Sequence, residues 1–131
     1  MTAPRRVTGI GGVFFKARDP KTLGEWYRGH LGIDVQDSGW ALFQWRENDD
    51  PARTGATVWS LFPDGTEYFG ASEQRVMVNY RVADLDAVLA DLRREGVKVD
   101  ERVEETGEGR FGWITDPEGN RIELWQPPTG A

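Results

Sequence analysis

Cysteine is absent from the 131 residues. That excludes a disulfide framework, a thiolate nucleophile and a Cys-ligated zinc. Histidine occurs once, as His30. No apolar run approaches the roughly 18 residues of a membrane span, and the opening MTAPRRVTG lacks the apolar core of a signal peptide. A soluble, cytoplasmic chain is therefore the expectation. There is no P-loop or Gly-x-Ser-x-Gly, and His30 has no Ser or Asp pairing that reads as a triad. Basic residues are scattered and the formal charge is −6. Nucleic acid wants a concentrated cationic face, so it is excluded along with a membrane, which leaves small molecules and other proteins as partners.

What the chain does have is aromatic. Six tryptophans in one ordinary-sized domain imply an aromatic core or an aromatic-lined pocket. Two helices are legible. Asp19 caps the first and Pro20 opens it; Leu23, Trp26, Tyr27 and Leu31 share a face, and Gly32 stops it. The second starts at Asp84, repeats Leu85, Val88, Leu89 and Leu92 at helical spacing, and closes at Gly96.

A strand precedes each helix. Val76, Val78, Tyr80 and Val82 alternate with Met77, Asn79 and Arg81, as Val13, Phe15 and Ala17 do with Gly12, Phe14 and Lys16. Three strand-like runs follow each helix: 33–36, 41–46 and 57–62 in the first half, 97–103, 110–115 and 121–126 in the second. Asp116-Pro117-Glu118-Gly119-Asn120 is a turn between the last two. The halves correspond: Asp19 to Asp84, 32–35 to 96–99, 43–45 to 111–113 and 58–62 to 121–125. The chain thus reads as an α+β fold of two tandem βαβββ modules. They span about 7–62 and 75–126, joined by a linker at 63–74.

The segment Phe14 to Pro20 with Trp26-Tyr27 and Leu31-Gly32, and the run Gly109 to Leu124, resemble the opening and closing of a vicinal-oxygen-chelate module. That is the glyoxalase/bleomycin-resistance/dioxygenase superfamily. The resemblance implies a curved mixed sheet forming a cup with helices outside. In metal-using members the first and last strands of each module supply ligands, usually two His plus Glu, to a divalent ion. Glyoxalases, ring-cleaving dioxygenases, epimerases and fosfomycin-resistance enzymes work this way, whereas bleomycin-binding members use the cup without a metal.

Carried over to this chain, the four ligand positions are Gly12, Ser60, Met77 and Glu123. Zinc and iron sites want about three imidazole or carboxylate ligands, and here only Glu123 qualifies. His30 falls in the last turn of the first helix, outside the cup, where the helix dipole favours it. No metal and no cofactor are expected.

Strand parity suggests the lining. If Ile122 and Leu124 face the helices, then Arg121, Glu123 and Trp125 face the cup. A regular hairpin sets Thr115 opposite Arg121, Trp113 opposite Glu123 and Phe111 opposite Trp125. Phe14, Lys16, Trp45, Ser60, Met77 and Asn79 complete the expected wall. The aromatic members serve equally well as plain core. Glu123 is the best catalytic candidate, as a ligand anchor or a general base; its structural alternative is a salt bridge with Arg121, with Arg81 also near. Tyr68-Phe69 is expected over the cup or in a dimer contact.

Three functions follow from these residues. One is a metal-free cup binding a small aromatic or amphipathic molecule. A second is a metal-dependent glyoxalase-like lyase/isomerase or dioxygenase acting on a small oxygenated substrate. A third is an interaction module whose cup is filled by core. A homodimer is expected, since open sheet edges need cover.

Overall fold

The computed structural model describes residues 6–47, 50–70 and 73–129. Its elements run β1 (Val7–Ala17), α1 (Pro20–Leu31), β2 (Trp40–Arg46), β3 (Thr54–Pro63), β4 (Val76–Val82), α2 (Leu85–Arg94), β5 (Lys98–Thr106), β6 (Gly109–Thr115) and β7 (Arg121–Gln126). The strands form one seven-stranded mixed sheet in the order β2-β3-β1-β4-β7-β6-β5.

The duplication is visible in the ladder. β1 and β4 meet antiparallel at the centre, and each pairs in parallel with the last strand of its own half, β3 or β7. Phe14 faces Ser60 across β1–β3, and Asn79 faces Glu123 across β4–β7. Ser60 and Glu123 are therefore equivalent positions, as the repeat implies. The closing hairpin has the expected register, with Thr115 opposite Arg121, Trp113 opposite Glu123 and Phe111 opposite Trp125.

One expected strand is missing. Residues 33–36 form no strand, so the first module is βαββ. Val35 is nonetheless buried, and the segment closes on itself: Gly39 N donates to Gln36 O and Gln36 N to Trp40 O, both at 2.8 Å. A short apolar run that buries one side chain satisfies its backbone with a turn as readily as with a ladder.

Both helices start at the expected caps. Asp19 Oδ1 accepts from Thr22 N at 3.1 Å and Asp84 Oδ1 from Ala87 N at 3.1 Å. Gly32 takes φ 69° and ends α1 in the left-handed region that a side chain would resist. α1 packs less than its pattern implies. Leu23 and Tyr27 join the buried cluster around Ala17, Trp59 and Leu61, while Trp26 and Leu31 stay exposed. α2 seats Leu85, Val88 and Leu89 against Val82 and Leu124, each worth about 1.5–3 kcal/mol of apolar burial.

A third apolar cluster lies on the concave face, formed by Phe14, Phe69, Met77 and Trp113. Phe69 belongs to the linker and is fully buried. The linker is thus part of the core.

Candidate ligand-binding site

The concave face encloses a cavity of about 760 Å³. Phe14, Phe62, Phe111, Trp125 and Val58 supply its apolar wall, and Trp40 and Leu42 of the edge strand β2 continue it. Its polar lining includes Ser60, Tyr68, Asn79, Arg81 and Glu123. Aromatic walls with a few polar groups are the usual make-up of a small-molecule site.

Glu123 sits at the deep end with no exposed surface. Asn79 Nδ2 donates to its Oε1 at 2.6 Å, Trp113 Nε1 donates to Oε2 at 3.0 Å, and the Tyr68 hydroxyl donates to Oε2 as well. Burial pushes the Glu123 carboxyl above its ordinary value, against the pull of those three donors, and the charge of Glu104 adds to the rise. Burial and the Glu123 charge likewise hold the Tyr68 phenol far above its ordinary range. The Tyr68 ring stacks on Phe62 with centroids 5.3 Å apart and planes at 12°.

The salt bridge considered between Glu123 and Arg121 does not form. Arg121 Nη1 pairs with Asp100 Oδ2 at 2.8 Å, and its guanidinium lies over the Trp113 ring at 5.2 Å. Arg121 and Glu123 share a strand face, but the Trp113 indole takes the carboxylate and presents its ring to the cation. Hydrogen-bond donors satisfy the buried carboxylate.

The remaining ligand positions offer still less. At Gly12 a Cβ would stand 2.7 Å from the Phe14 ring, so the space beside it is already filled. Met77 is fully buried between Phe14 and Phe69, and Ser60 supplies only a hydroxyl. Among the described residues no group of three or more His, Cys, Asp or Glu is placed to hold a metal ion. A set of glycine, serine, thioether and one hydrogen-bonded carboxylate does not fit a catalytic divalent cation.

Of the residues expected in the wall, Phe14, Ser60, Asn79, Phe111, Glu123 and Trp125 line the cavity. Trp113 and Met77 lie beneath it in the core. Lys16 and Arg121 stand apart: the Lys16 ammonium lies 5.3 Å from the Phe69 ring centroid, and Arg121 is engaged by Asp100. Trp45 does not line the cavity; its ring lies behind Gly55 and 5.5 Å from the guanidinium carbon of Arg81, both of which do. His30 lies outside the cup on α1, its ring 5.0 Å from that of Trp26.

Tyr68, expected over the cup or in a dimer contact, and Arg81, expected near Glu123, both line the cavity. The alternation that placed Asn79 also placed Arg81, two residues along. Tyr68 carried no periodic signal, because it lies in the linker. β2 presents Trp40, Leu42 and Gln44 to the cavity, a parity that the repeat alone did not select.

A duplicated mixed sheet curled around such a cavity defines a protein of the vicinal-oxygen-chelate superfamily, with the glyoxalase/bleomycin-resistance fold. The chain belongs to the family described as "Glyoxalase-like domain", whose model matches residues 12–125. Among solved structures it is similar to a methylmalonyl-CoA epimerase from Mycobacterium tuberculosis, at 26% identity, 98% of this chain, 93% of that chain and a TM-score of 0.61. It is also similar in fold to a variant of the Streptomyces coelicolor methylmalonyl-CoA epimerase in complex with 2-nitronate-propionyl-CoA. There the identity is 22%, the coverage 94% and 99%, and the TM-score 0.69. A glyoxalase/bleomycin resistance protein/dioxygenase superfamily member from Vibrio splendidus shares the fold at 11% identity, 89% and 97% coverage and a TM-score of 0.57. No curated protein matches the sequence. No helix of the described residues is long and apolar enough to cross a membrane.

Proposed function

We propose that the chain binds a small, largely aromatic organic molecule in its cup without a catalytic metal. One observation carries this reading. The single carboxylate at the four ligand positions, Glu123, has both oxygens occupied by Tyr68, Asn79 and Trp113. The open cavity of about 760 Å³ supports binding over a cup filled as plain core.

The competing reading is a metal-dependent enzyme, and it draws on the 26% likeness to the mycobacterial epimerase. An ion would have to displace three hydrogen bonds from a buried carboxylate and find no second strong ligand, which disfavours it. Thermal-shift screening of small metabolites and antibiotics in the presence of a chelator tests the proposal, since a ligand that binds only the native state raises its stability. Stabilisation by aromatic compounds under chelation is expected. Stabilisation that appears only on adding a divalent metal would overturn it.

A further inference from the structure

Asn79 is a polar residue of β4, only 2% exposed, that lies on the cavity wall. An ionised carboxylate only accepts hydrogen bonds, so the 2.6 Å contact with Glu123 Oε1 fixes the amide with Nδ2 toward Glu123. Oδ1 is thereby turned the other way, toward β1. It is a buried acceptor with no hydrogen-bond partner.

Gly11 marks where that oxygen lies. A Cβ there would stand 2.2 Å from Asn79 Oδ1, 2.9 Å from Trp125 Cε3 and 3.0 Å from Arg81 Cγ. All four residues line the cavity. Any side chain at position 11 would push the oxygen aside; glycine lets it stay where these residues meet. The surroundings are firmly held. Trp125 Nε1 donates to the Glu108 carbonyl at 2.8 Å. The Arg81 guanidinium carbon lies 5.2 Å from the Trp125 ring centroid and 5.5 Å from that of Trp45. Gly9 and Gly55 make room for the Trp45 ring, since a Cβ would stand 2.6 or 2.4 Å from it.

The donors at this end of the cup are committed. Tyr68, Asn79 and Trp113 each give a hydrogen to Glu123, and Trp125 gives its own to Glu108. What stands without a partner is an acceptor. A ligand that met it with C–H or an ether oxygen would leave Oδ1 bare and displace any water bound to it. A ligand N–H or O–H satisfies it.

From this arrangement we infer that Asn79 Oδ1 is the polar recognition point of the cup, accepting from an N–H or O–H of an otherwise aromatic ligand. The inference rests on the cup being a ligand site and names the class of molecule it takes. That class is aromatic donors, such as indoles, phenols and anilines, rather than aryl ethers or ketones. The apolar wall holds the ring, and the acceptor selects its donor edge.

NMR titration of the wild-type protein in mildly alkaline buffer with indole, and with its isostere benzofuran, which lacks the N–H, tests this. Indole binds tighter by about tenfold, the difference between a buried acceptor met and one left bare. Indole also moves the Asn79 Cγ resonance downfield, as an accepted hydrogen bond does, and benzofuran does not. In Glu123→Gln the Asn79 amide turns over and Nδ2 takes the place beside Gly11, so the preference for indole is lost. Equal binding of the two probes to wild type, or a preference without the Asn79 shift, overturns the inference while the cup remains a binding site. A preference undiminished in Glu123→Gln does the same. Binding of neither probe sinks the underlying reading of the cup instead. Should Glu123→Gln fail to fold, the wild-type affinities and the Asn79 shift decide.

Discussion

Trp113 Nε1 donates to Glu123 Oε2 at 3.0 Å directly across the closing hairpin, and the two residues are paired in the β6–β7 ladder. The position where the superfamily pattern has a metal ligand is thereby tied to an indole on the next strand. Tyr68 from the linker and Asn79 from β4 complete the enclosure.

The Glu123 network predicts an ordering of variants. Glu123→Gln keeps the shape: its amide oxygen accepts from Tyr68 and Trp113, and the Asn79 amide, whose Oδ1 has no partner, turns over to accept from the new NH2, so stability stays near wild type. Glu123→Leu strands Tyr68, Asn79 and Trp113 and costs on the order of 1–3 kcal/mol for each donor left unsatisfied. Urea unfolding of both variants checks this. Equal stability of the two would contradict the network.

The pH dependence has a definite sign. Burial raises the folded-state pKa of Glu123 above the ordinary glutamate value of 4.5, so between the two values the folded state holds a proton that the unfolded state has lost. Its contribution is full below the unfolded pKa and is lost as pH rises through the folded one. The exposed Asp19, Asp86, Glu95 and Asp116 have lowered values and act in the opposite direction, losing stability as pH falls. Subtracting Glu123→Gln from wild type at each pH cancels those four. The difference should move against wild type as pH rises from 4.5, and a flat difference would show no raised carboxyl at this site.

The linker should behave as core. Phe69 is fully buried with Met77 and Trp113, and Phe69→Ala is expected to cost about 3–5 kcal/mol. A loop residue would cost a small fraction of that. Thermal denaturation distinguishes the two.

Gly55 is required by the Trp45 ring, since a Cβ there would sit 2.4 Å from Cη2. Gly55→Ala should destabilise by about 1–3 kcal/mol through overpacking. In a Trp45→Ala background the same change should cost much less, and a double-mutant cycle measures that coupling. Additive costs would place the ring elsewhere.

Much of this was legible in the sequence where the governing interactions are local. The Asp116–Asn120 turn sets the β6–β7 register, so Thr115, Trp113 and Phe111 find their expected partners. Both N-caps and the Ser60–Glu123 equivalence follow from short-range signals and the internal repeat. What failed was non-local. The run 33–36 reads as a strand, yet a turn onto Trp40 satisfies its backbone. Tyr68 and Phe69 follow no period, so the sequence left the cup and a dimer contact both open for them, and tertiary packing draws them into the cup. The Trp45–Arg81–Trp125 stack depends on Gly9, Gly11 and Gly55 lying beneath it, and their spacing along the chain gives no sign of that meeting.

Elemental analysis of protein purified without chelators addresses the central claim most directly. A cup whose lone carboxylate is satisfied by Tyr68, Asn79 and Trp113 predicts zinc, nickel, manganese and iron all far below one ion per chain. One ion per chain, lost on Glu123→Gln, would contradict it.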